Sequence, residues 1–237
     1  MKPLIVFDLD GTLYRGDDPF RCYAGVVSRK MTPKDARVYH EAVEAHLAGV
    51  PGIVEGDNWE AVVMLARNYL GDDPVLKEAF HEVRDFMLSS RCRLEVPPGL
   101  RGFLQEWQER AEFVCVSNSQ QNSAVPVLEK LGLLPAFEKV FTQARKPEGL
   151  AAIAETLLGE NGSGDVVLSV GDNYLNDIAP ALQKGWATAH ISPRGYFPGP
   201  STYQGRTMED VLPGIQHWLT ARLDRSDYDG KVGNAHG

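Results

Sequence analysis

The sequence is poor in cysteine and has no long hydrophobic run, and both absences exclude classes of protein. Its three cysteines, Cys22, Cys92 and Cys115, are an odd number without metal-like spacing, which argues against a disulfide framework or a zinc site. No apolar run approaches the roughly 20 residues that span a bilayer. The opening residues, Met-Lys-Pro-Leu-Ile-Val-Phe-Asp, leave no room for a signal peptide. We therefore expect a cytoplasmic protein that does not contact a membrane.

Positive charge is also scarce. The chain has 24 Lys and Arg against 32 Asp and Glu, a net charge of -8 at pH 7. Nucleic-acid binding depends on Lys and Arg that neutralise phosphates, so the composition argues against a nucleic-acid partner. It remains compatible with a small phosphorylated substrate held through a metal. At 237 residues, of which 43% are hydrophobic, the chain can form one α/β core that carries a smaller second domain.

Five short apolar runs that end in polar residues predict the buried strands of a parallel sheet. They occupy residues 3–7, 113–116, 139–141, 166–170 and 187–191. Helical patterns lie between the later runs, at 100–111, 123–131, 149–158 and 178–184. This alternation predicts an α/β fold in which helices cover both faces of the sheet.

The interval from about residue 14 to 97 breaks the alternation. It contains no convincing strand, and start signals such as Thr32-Pro33 predict helices at about 33–47, 59–70 and 74–88. Such an interval is too long for one crossover helix, so we predict an inserted helical domain. The predicted division is a core of 1–14 and 98–222, a helical domain of 15–97, and a polar, disordered tail of 223–237.

The segment Asp8-Leu9-Asp10-Gly11-Thr12 follows the first predicted strand. Ligands of parallel α/β sheets bind beyond the carboxyl ends of the strands, where this segment falls. Two carboxylates and a glycine turn suit a site to which the backbone also offers a carbonyl. An ordinary Asp-Gly turn with a solvated acidic flank would give the same pattern, so this segment alone does not decide between the two.

Three further segments favour a site. Ser117 and Asn118 follow the second strand and can hydrogen-bond a phosphoryl oxygen, and carboxylates of Gly171-Asp172 to Asn176-Asp177 follow the fourth. Lys146 stands at the start of a helix. Mg²⁺ takes oxygen ligands, and Asp8, Asp172 and the Asp10 carbonyl can supply them. The set suits a phosphate and a divalent cation.

In order and spacing, these segments resemble the four motifs of the haloacid dehalogenase-like (HAD) hydrolases. The motifs are Asp8-Leu9-Asp10-Gly11-Thr12-Leu13, Ser117, Lys146, and Gly171-Asp172 with Asn176-Asp177. The resemblance extends from Pro3 to about Leu219. It implies a Rossmann-like core with an α-helical cap inserted after the first strand.

The resemblance also implies a chemistry and a role for each residue. Asp8 would attack phosphorus to give an aspartyl-phosphate, and Asp10 would protonate the leaving oxygen and then activate water. Lys146 would bridge Asp8 and the phosphoryl group. Thr12 and Ser117 would orient the nucleophile and the phosphate. The implied Mg²⁺ residues are Asp8, Asp10, Asp172 and Asp177, and the substrate-binding residues Ser117, Asn118, Lys146 and Arg15.

Several alternatives follow from the same residues. Haloacid-cleaving members of the family lack the second aspartate, so Asp10 and Asp172 favour phosphate chemistry. The leading hypothesis is a phosphatase for a small phosphorylated metabolite. A sugar phosphomutase is the alternative, although the predicted cap loop at 49–57 contains no Lys or Arg. A non-catalytic phosphate-binding or regulatory protein is a third. Arg15 is at least as well explained as a solvent-facing hinge residue.

One departure from the family pattern concerns the segment after Lys146. Many relatives have Lys-Pro-x-Pro there, whereas this chain has Lys146-Pro147-Glu148-Gly149. We expect a looser start of the following helix and no loss of function.

Overall fold

The computed structural model describes residues 2–53, 56–159 and 164–233. The chain divides into two compact units. The core unit comprises Met1–Leu13 and Val96–Gly237, and the helical unit comprises Tyr14–Glu95. These boundaries fall one or two residues before those predicted. Among the described residues, no helix combines the length and the hydrophobicity needed to cross a membrane.

A six-stranded sheet, parallel throughout, forms the centre of the core unit. Its strands are β1 (Leu4–Phe7), β2 (Glu112–Val116), β3 (Lys139–Phe141), β4 (Val167–Gly171), β5 (Ala187–Ile191) and β6 (Tyr203–Gly205). They lie in the order β3-β2-β1-β4-β5-β6. The α/β class and five of these strands agree with the prediction. The sixth, β6, has three residues and no apolar run, so its sequence carries no strand signal.

The register of the central strands brings their carboxyl ends level. Phe7, the last residue of β1, lies opposite Cys115 in β2 and Val170 in β4. All four residues of β1 are buried, as expected for a strand covered on both faces. The residues that follow these three strands therefore emerge side by side at one edge of the sheet.

The helical unit contains α1 (Asp18–Val27), α2 (Pro33–Leu47), α3 (Asn58–Leu70) and α4 (Val75–Leu88). Thr32 caps α2 as predicted, because its side chain accepts a hydrogen bond from a main-chain N–H group in the first turn. Asp57 caps α3 in the same way, whereas the sequence left Asp57 and Asn58 as alternatives. Helix α1 was not predicted, although Pro19 stands in its first turn. The buried Tyr23 and Tyr39 place their hydroxyls on main-chain carbonyls of this unit.

The described part of the core unit contains five further helices. They are α5 (Leu100–Trp107), α6 (Gln121–Lys130), α7 (Glu148–Leu158), α8 (Ala179–Gln183) and α9 (Met208–Gly233). The first four fall on the predicted helical patterns, and α5 is shorter than its pattern. A π-helical turn, Tyr174–Ile178, connects β4 to α8.

The disorder of residues 223–237 stays a prediction, although the last helix of the core unit reaches into this segment. Helix α9 continues to Gly233, and 234–237 lie outside the described residues. The first turns of α9 are anchored by buried Val211, Ile215 and Trp218. Because an established helix gains one hydrogen bond for each added residue, it can extend into a polar segment that has no core of its own.

Helix α7 begins at Glu148, directly after Pro147, although the second proline of the family pattern is missing. Glycine is needed at the position of that proline. A Cβ built on Gly149 would lie 1.8 Å from the carbonyl oxygen of Ala144. The short loop before α7 and the first turn of the helix can approach this closely only because residue 149 has no side chain.

Replacing Gly149 by alanine therefore tests how tightly this loop packs. Overpacking of this kind costs about 1–3 kcal/mol, so Gly149→Ala should lower the free energy of unfolding measured by urea denaturation. Gly102, in α5, is the matched control, because a Cβ at this position would meet no atom within 4 Å. Gly102→Ala should stabilise the protein by about 0.5–1 kcal/mol. A Gly149→Ala variant as stable as Gly102→Ala would contradict the close approach.

Candidate active site

The centre of the site is the side chain of Lys146. Its Nζ donates to Oδ1 of Asp8 and to Oδ1 of Asp177, each at 2.6 Å. All three residues are buried, with Lys146 only 7% exposed. Asp8 follows β1, Asp177 lies in the π-helical turn after β4, and Lys146 stands before α7. The ammonium thus joins three chain segments at the carboxyl edge of the sheet.

The charges of this trio are coupled. Burial disfavours the charged form of Lys146, but the carboxylates of Asp177 and Asp8 outweigh burial and raise the pKa of the ammonium above its ordinary value. Burial raises the pKa of the Asp177 carboxyl, and the charge of Lys146 opposes that rise. Lys146 is therefore cationic at neutral pH, and the buried carboxylates need positive charge nearby.

A third carboxylate completes an acidic cluster. Asp8, Asp172 and Asp177 each place a carboxylate oxygen within 4.8 Å of the others. With all three carboxylates ionised, which a bound cation would favour, the carboxylates and the Lys146 ammonium carry a net charge of -2, and a divalent cation neutralises that charge. Oxygen ligands of this kind are those that Mg²⁺ prefers. The residues present therefore fit the expected metal, and Asp8, Asp172 and Asp177 would hold it, with the Asp10 carbonyl as the further predicted ligand.

Gly11 sets the position of the Asp172 carboxylate. A Cβ on Gly11 would lie 2.1 Å from Oδ2 of Asp172, and Gly11 has a φ of +80°. The backbone turn after Asp10 and the carboxylate after β4 can be this close only with glycine at position 11. The main-chain oxygen of Asp172 also lies 3.3 Å from Nε2 of buried His190. Burial lowers the pKa of that imidazole, which favours its neutral form.

The π-helical turn fixes Asp177. The main-chain N–H of Asn173 donates to Oδ2 of Asp177 at 3.2 Å, and the hydroxyl of Ser169 donates to the Asp177 carbonyl oxygen at 2.8 Å. With Lys146 on Oδ1, both carboxylate oxygens of Asp177 accept hydrogen bonds. Asp177 therefore orients Lys146 as well as contributing to the acidic cluster.

Asn118 binds the main chain of Lys146. Its Oδ1 accepts from the Lys146 N–H at 2.7 Å, and its Nδ2 donates to the Lys146 carbonyl oxygen at 3.2 Å. The loop before Lys146 is conformationally demanding, because Gln143 and Arg145 have φ values of 50° and 55°. Both polar atoms of the Asn118 side chain hold this loop, and Nδ2 keeps a second hydrogen that it can donate. Binding of substrate by Asn118 stays a prediction.

Ser117 and Thr12 are both buried at 1% exposure. Oγ of Ser117 accepts from the Ser119 N–H at 3.0 Å, which leaves its hydroxyl hydrogen able to donate to a phosphoryl oxygen. Oγ1 of Thr12 has no hydrogen-bond partner among the described residues. Thr12 lies on the segment after β1 that carries Asp8, and Ser117 lies on the segment after β2 that carries Asn118. Their roles in orienting the nucleophile and the phosphate stay predictions.

Asp10 has a partner that the sequence did not reveal. Oγ of Ser119 donates to Oδ2 of Asp10 at 3.0 Å. A second hydroxyl two residues after Ser117 was the available signal, but its partner depends on how the loop after β2 folds. Arg15, for which the resemblance implies contact with substrate, belongs to the helical unit. Its Nε lies 3.4 Å from a carboxylate oxygen of Glu95. Contact between Arg15 and substrate stays a prediction.

The Gly11–Asp172 approach can be tested through metal binding. Gly11→Ala should displace the Asp172 carboxylate and weaken Mg²⁺ binding by about 10-fold or more, measured by isothermal titration calorimetry. Gly185 is a matched control, since it has a φ of +73° but nothing within 4 Å of a Cβ. Gly185→Ala carries the same backbone strain and should bind Mg²⁺ like the unaltered protein. Equal affinities in the two variants would remove Asp172 from the metal site.

Known structures with this fold come from several HAD hydrolases. The HAD-hydrolase YfnB of Bacillus subtilis, solved with bound magnesium, has 19% identity and a TM-score of 0.60, with 92% of this chain and 99% of that chain covered. A predicted phosphoglycolate phosphatase of Haemophilus somnus has 20% identity and a TM-score of 0.65, with coverages of 90% and 98%. L-2-haloacid dehalogenase of Xanthobacter autotrophicus has 17% identity and a TM-score of 0.54, with coverages of 91% and 99%.

Sequence comparison identifies the family more directly. No curated protein sequence matches the chain. The family model of haloacid dehalogenase-like hydrolases, however, matches residues 2–185, which include all four predicted motifs. The chain therefore belongs to the haloacid dehalogenase-like hydrolases.

Proposed function

We propose that this protein is a Mg²⁺-dependent phosphatase that hydrolyses a small cytoplasmic phosphomonoester through an aspartyl-phosphate on Asp8. The observation that carries the proposal is the acidic cluster of Asp8, Asp172 and Asp177 around one buried lysine. Its net charge of -2 calls for a divalent cation, and a hard cation suits the oxygens of a phosphate. The magnesium bound to one structural neighbour supports the same choice of metal.

In the proposed first step, a carboxylate oxygen of Asp8 attacks phosphorus and the bond from phosphorus to the leaving oxygen breaks. Lys146 holds the Asp8 carboxylate in place by its 2.6 Å hydrogen bond. Asp10, two residues further on, gives its proton to the leaving oxygen. Ser117 donates to a phosphoryl oxygen. Asp8, Asp172 and Asp177 would hold Mg²⁺, which would supply positive charge for the phosphoryl oxygens.

In the second step Asp10 acts as the base. Its carboxylate takes a proton from water, the water oxygen attacks phosphorus, and the bond from phosphorus to Asp8 breaks to release phosphate. The proton that Asp10 lost in the first step is thereby regained. The net reaction consumes one water and returns Asp8 and Asp10 to their starting states.

The structural neighbours leave a choice between phosphatase and dehalogenase, since both kinds share this fold. We propose a phosphatase because of Asp10 and the acidic cluster. Release of a halide ion from carbon needs no proton donor for the leaving group and no divalent cation at the substrate. The Asp10 carboxyl, two residues after Asp8 in the sequence, together with a cluster suited to Mg²⁺, fits a leaving oxygen that must be protonated.

The direct test is phosphate release from p-nitrophenyl phosphate. The protein should hydrolyse it with Mg²⁺ present, and both Asp8→Asn and removal of Mg²⁺ by EDTA should lower kcat by about 1,000-fold or more. Chloride release from 2-chloropropionate should be absent. Full activity of Asp8→Asn, or dehalogenation in place of phosphate release, would overturn the proposed function.

Asn118 gives a second test, because positioning of Lys146 and substrate binding affect different kinetic constants. If Asn118 positions Lys146, Asn118→Ala should lower kcat by about 10- to 100-fold and leave KM nearly constant. Asn118→Asp keeps the acceptor for the Lys146 N–H and should recover part of kcat. The exposed Asn68 of α3 supplies a control, since Asn68→Ala should behave like the unaltered protein. A raised KM with constant kcat would contradict the positioning role and support binding of substrate by Asn118.

A further inference from the structure

We infer that Ser119 is a positioning residue for proton transfer, which holds the Asp10 carboxyl in the orientation that protonates the leaving oxygen. The inference rests on the proposed function and adds a residue that none of the family's motifs includes. The contact that carries it is the 3.0 Å hydrogen bond from the Ser119 hydroxyl to Oδ2 of Asp10. These residues are 109 positions apart in the sequence, so the bond exists only because β1 and β2 are neighbours.

The main chain of Ser119 is held by two hydrogen bonds. The Ser119 N–H donates to Oγ of Ser117 at 3.0 Å, and the Ser119 carbonyl oxygen accepts from the Gln143 N–H at 2.9 Å. Both main-chain polar groups of Ser119 are therefore hydrogen-bonded, in addition to the bond that its hydroxyl donates to Asp10. A donor on such a rigid segment restrains its acceptor more than one on a mobile side chain would.

Asp10 is a residue that benefits from restraint. It is partly exposed, in contrast to the buried Asp8, and it precedes the left-handed turn at Gly11. A general acid must come within about 2.6–3.2 Å of the atom that it protonates. Rotation of the Asp10 carboxyl about its side-chain bonds would move the acidic oxygen out of this distance. The hydrogen bond to Oδ2 limits that rotation.

The neighbouring side chains of this segment serve other groups, which separates the role of Ser119 from theirs. Asn118 holds the main chain of Lys146, and the Ser117 hydroxyl is assigned to the phosphoryl group. Loss of the Asn118 contact should disturb the environment of the Asp8 nucleophile whatever the leaving group. Loss of the Ser119 contact should disturb the proton donor, and its effect should therefore depend on the leaving group.

Two substrates distinguish these effects. Benzyl phosphate releases a strongly basic alkoxide that needs protonation, whereas p-nitrophenyl phosphate releases a weakly basic phenolate that does not. Each carries one aromatic ring, so the two are similar in size. The value of kcat/KM reports steps up to formation of the aspartyl-phosphate, which excludes the later step in which Asp10 activates water.

The experiment measures kcat/KM for both substrates in the unaltered protein, Ser119→Ala and Ser119→Thr. In Ser119→Ala the ratio of kcat/KM for benzyl phosphate to kcat/KM for p-nitrophenyl phosphate should fall by about 10-fold or more. A general acid contributes about 100-fold or more to the rate, and loss of its orientation should remove part of this contribution. Ser119→Thr keeps the hydroxyl and should restore the ratio. Ser90→Ala, at an exposed serine that follows α4, is the control and should match the unaltered protein.

Each outcome has one meaning. If the unaltered protein hydrolyses both substrates and the ratio is the same in Ser119→Ala, the role of Ser119 is overturned and the proposed function stands. If the unaltered protein hydrolyses neither, the proposed function fails and the role of Ser119 fails with it. Should circular dichroism show that Ser119→Ala is unfolded, Ser119→Cys, whose thiol is a weak donor of similar size, must show the same fall in the ratio.

Discussion

The structure of the site depends on one buried ammonium. Lys146 lies between Asp8 and Asp177 at 2.6 Å from each, and without it two buried carboxylates would face each other. Removing one partner of such a buried pair leaves a charge that burial penalises by several kcal/mol. The surrounding contacts keep this ammonium in place. Asn118 holds the main chain of Lys146, Asn173 and Ser169 hold Asp177, and Gly149 allows the loop before α7 to close.

The positions of the charged residues could be predicted because they depend on few features of the chain. A buried apolar run followed by a carboxylate predicts the end of a strand, and parallel strands place such ends at one edge of a sheet. Asp8 and Asp172 could therefore be assigned to one site from the sequence alone. The register of β1 with β2 and β4 places the ends of these strands side by side, as this assignment requires.

The contacts that Asn118 and Ser119 make could not be predicted in the same way. Their partners depend on the path of the loop that precedes Lys146. In this loop Gln143 and Arg145 adopt positive φ values that residues other than glycine rarely adopt. No sequence pattern indicates left-handed backbone at glutamine or arginine. The missed elements have similar causes, since β6 is too short for a strand pattern and the end of α9 has no apolar periodicity.

The place of β1 at the centre of the sheet has a consequence for how the protein folds. Asp8 directly follows β1, and this strand has neighbours on both sides that come more than 100 residues later in the sequence. The site therefore consists almost entirely of contacts distant in sequence, which form slowly compared with those within a helix. During synthesis Asp8 leaves the ribosome long before Asp172 and Asp177, so a nascent chain that ends before β4 cannot have the complete acidic cluster.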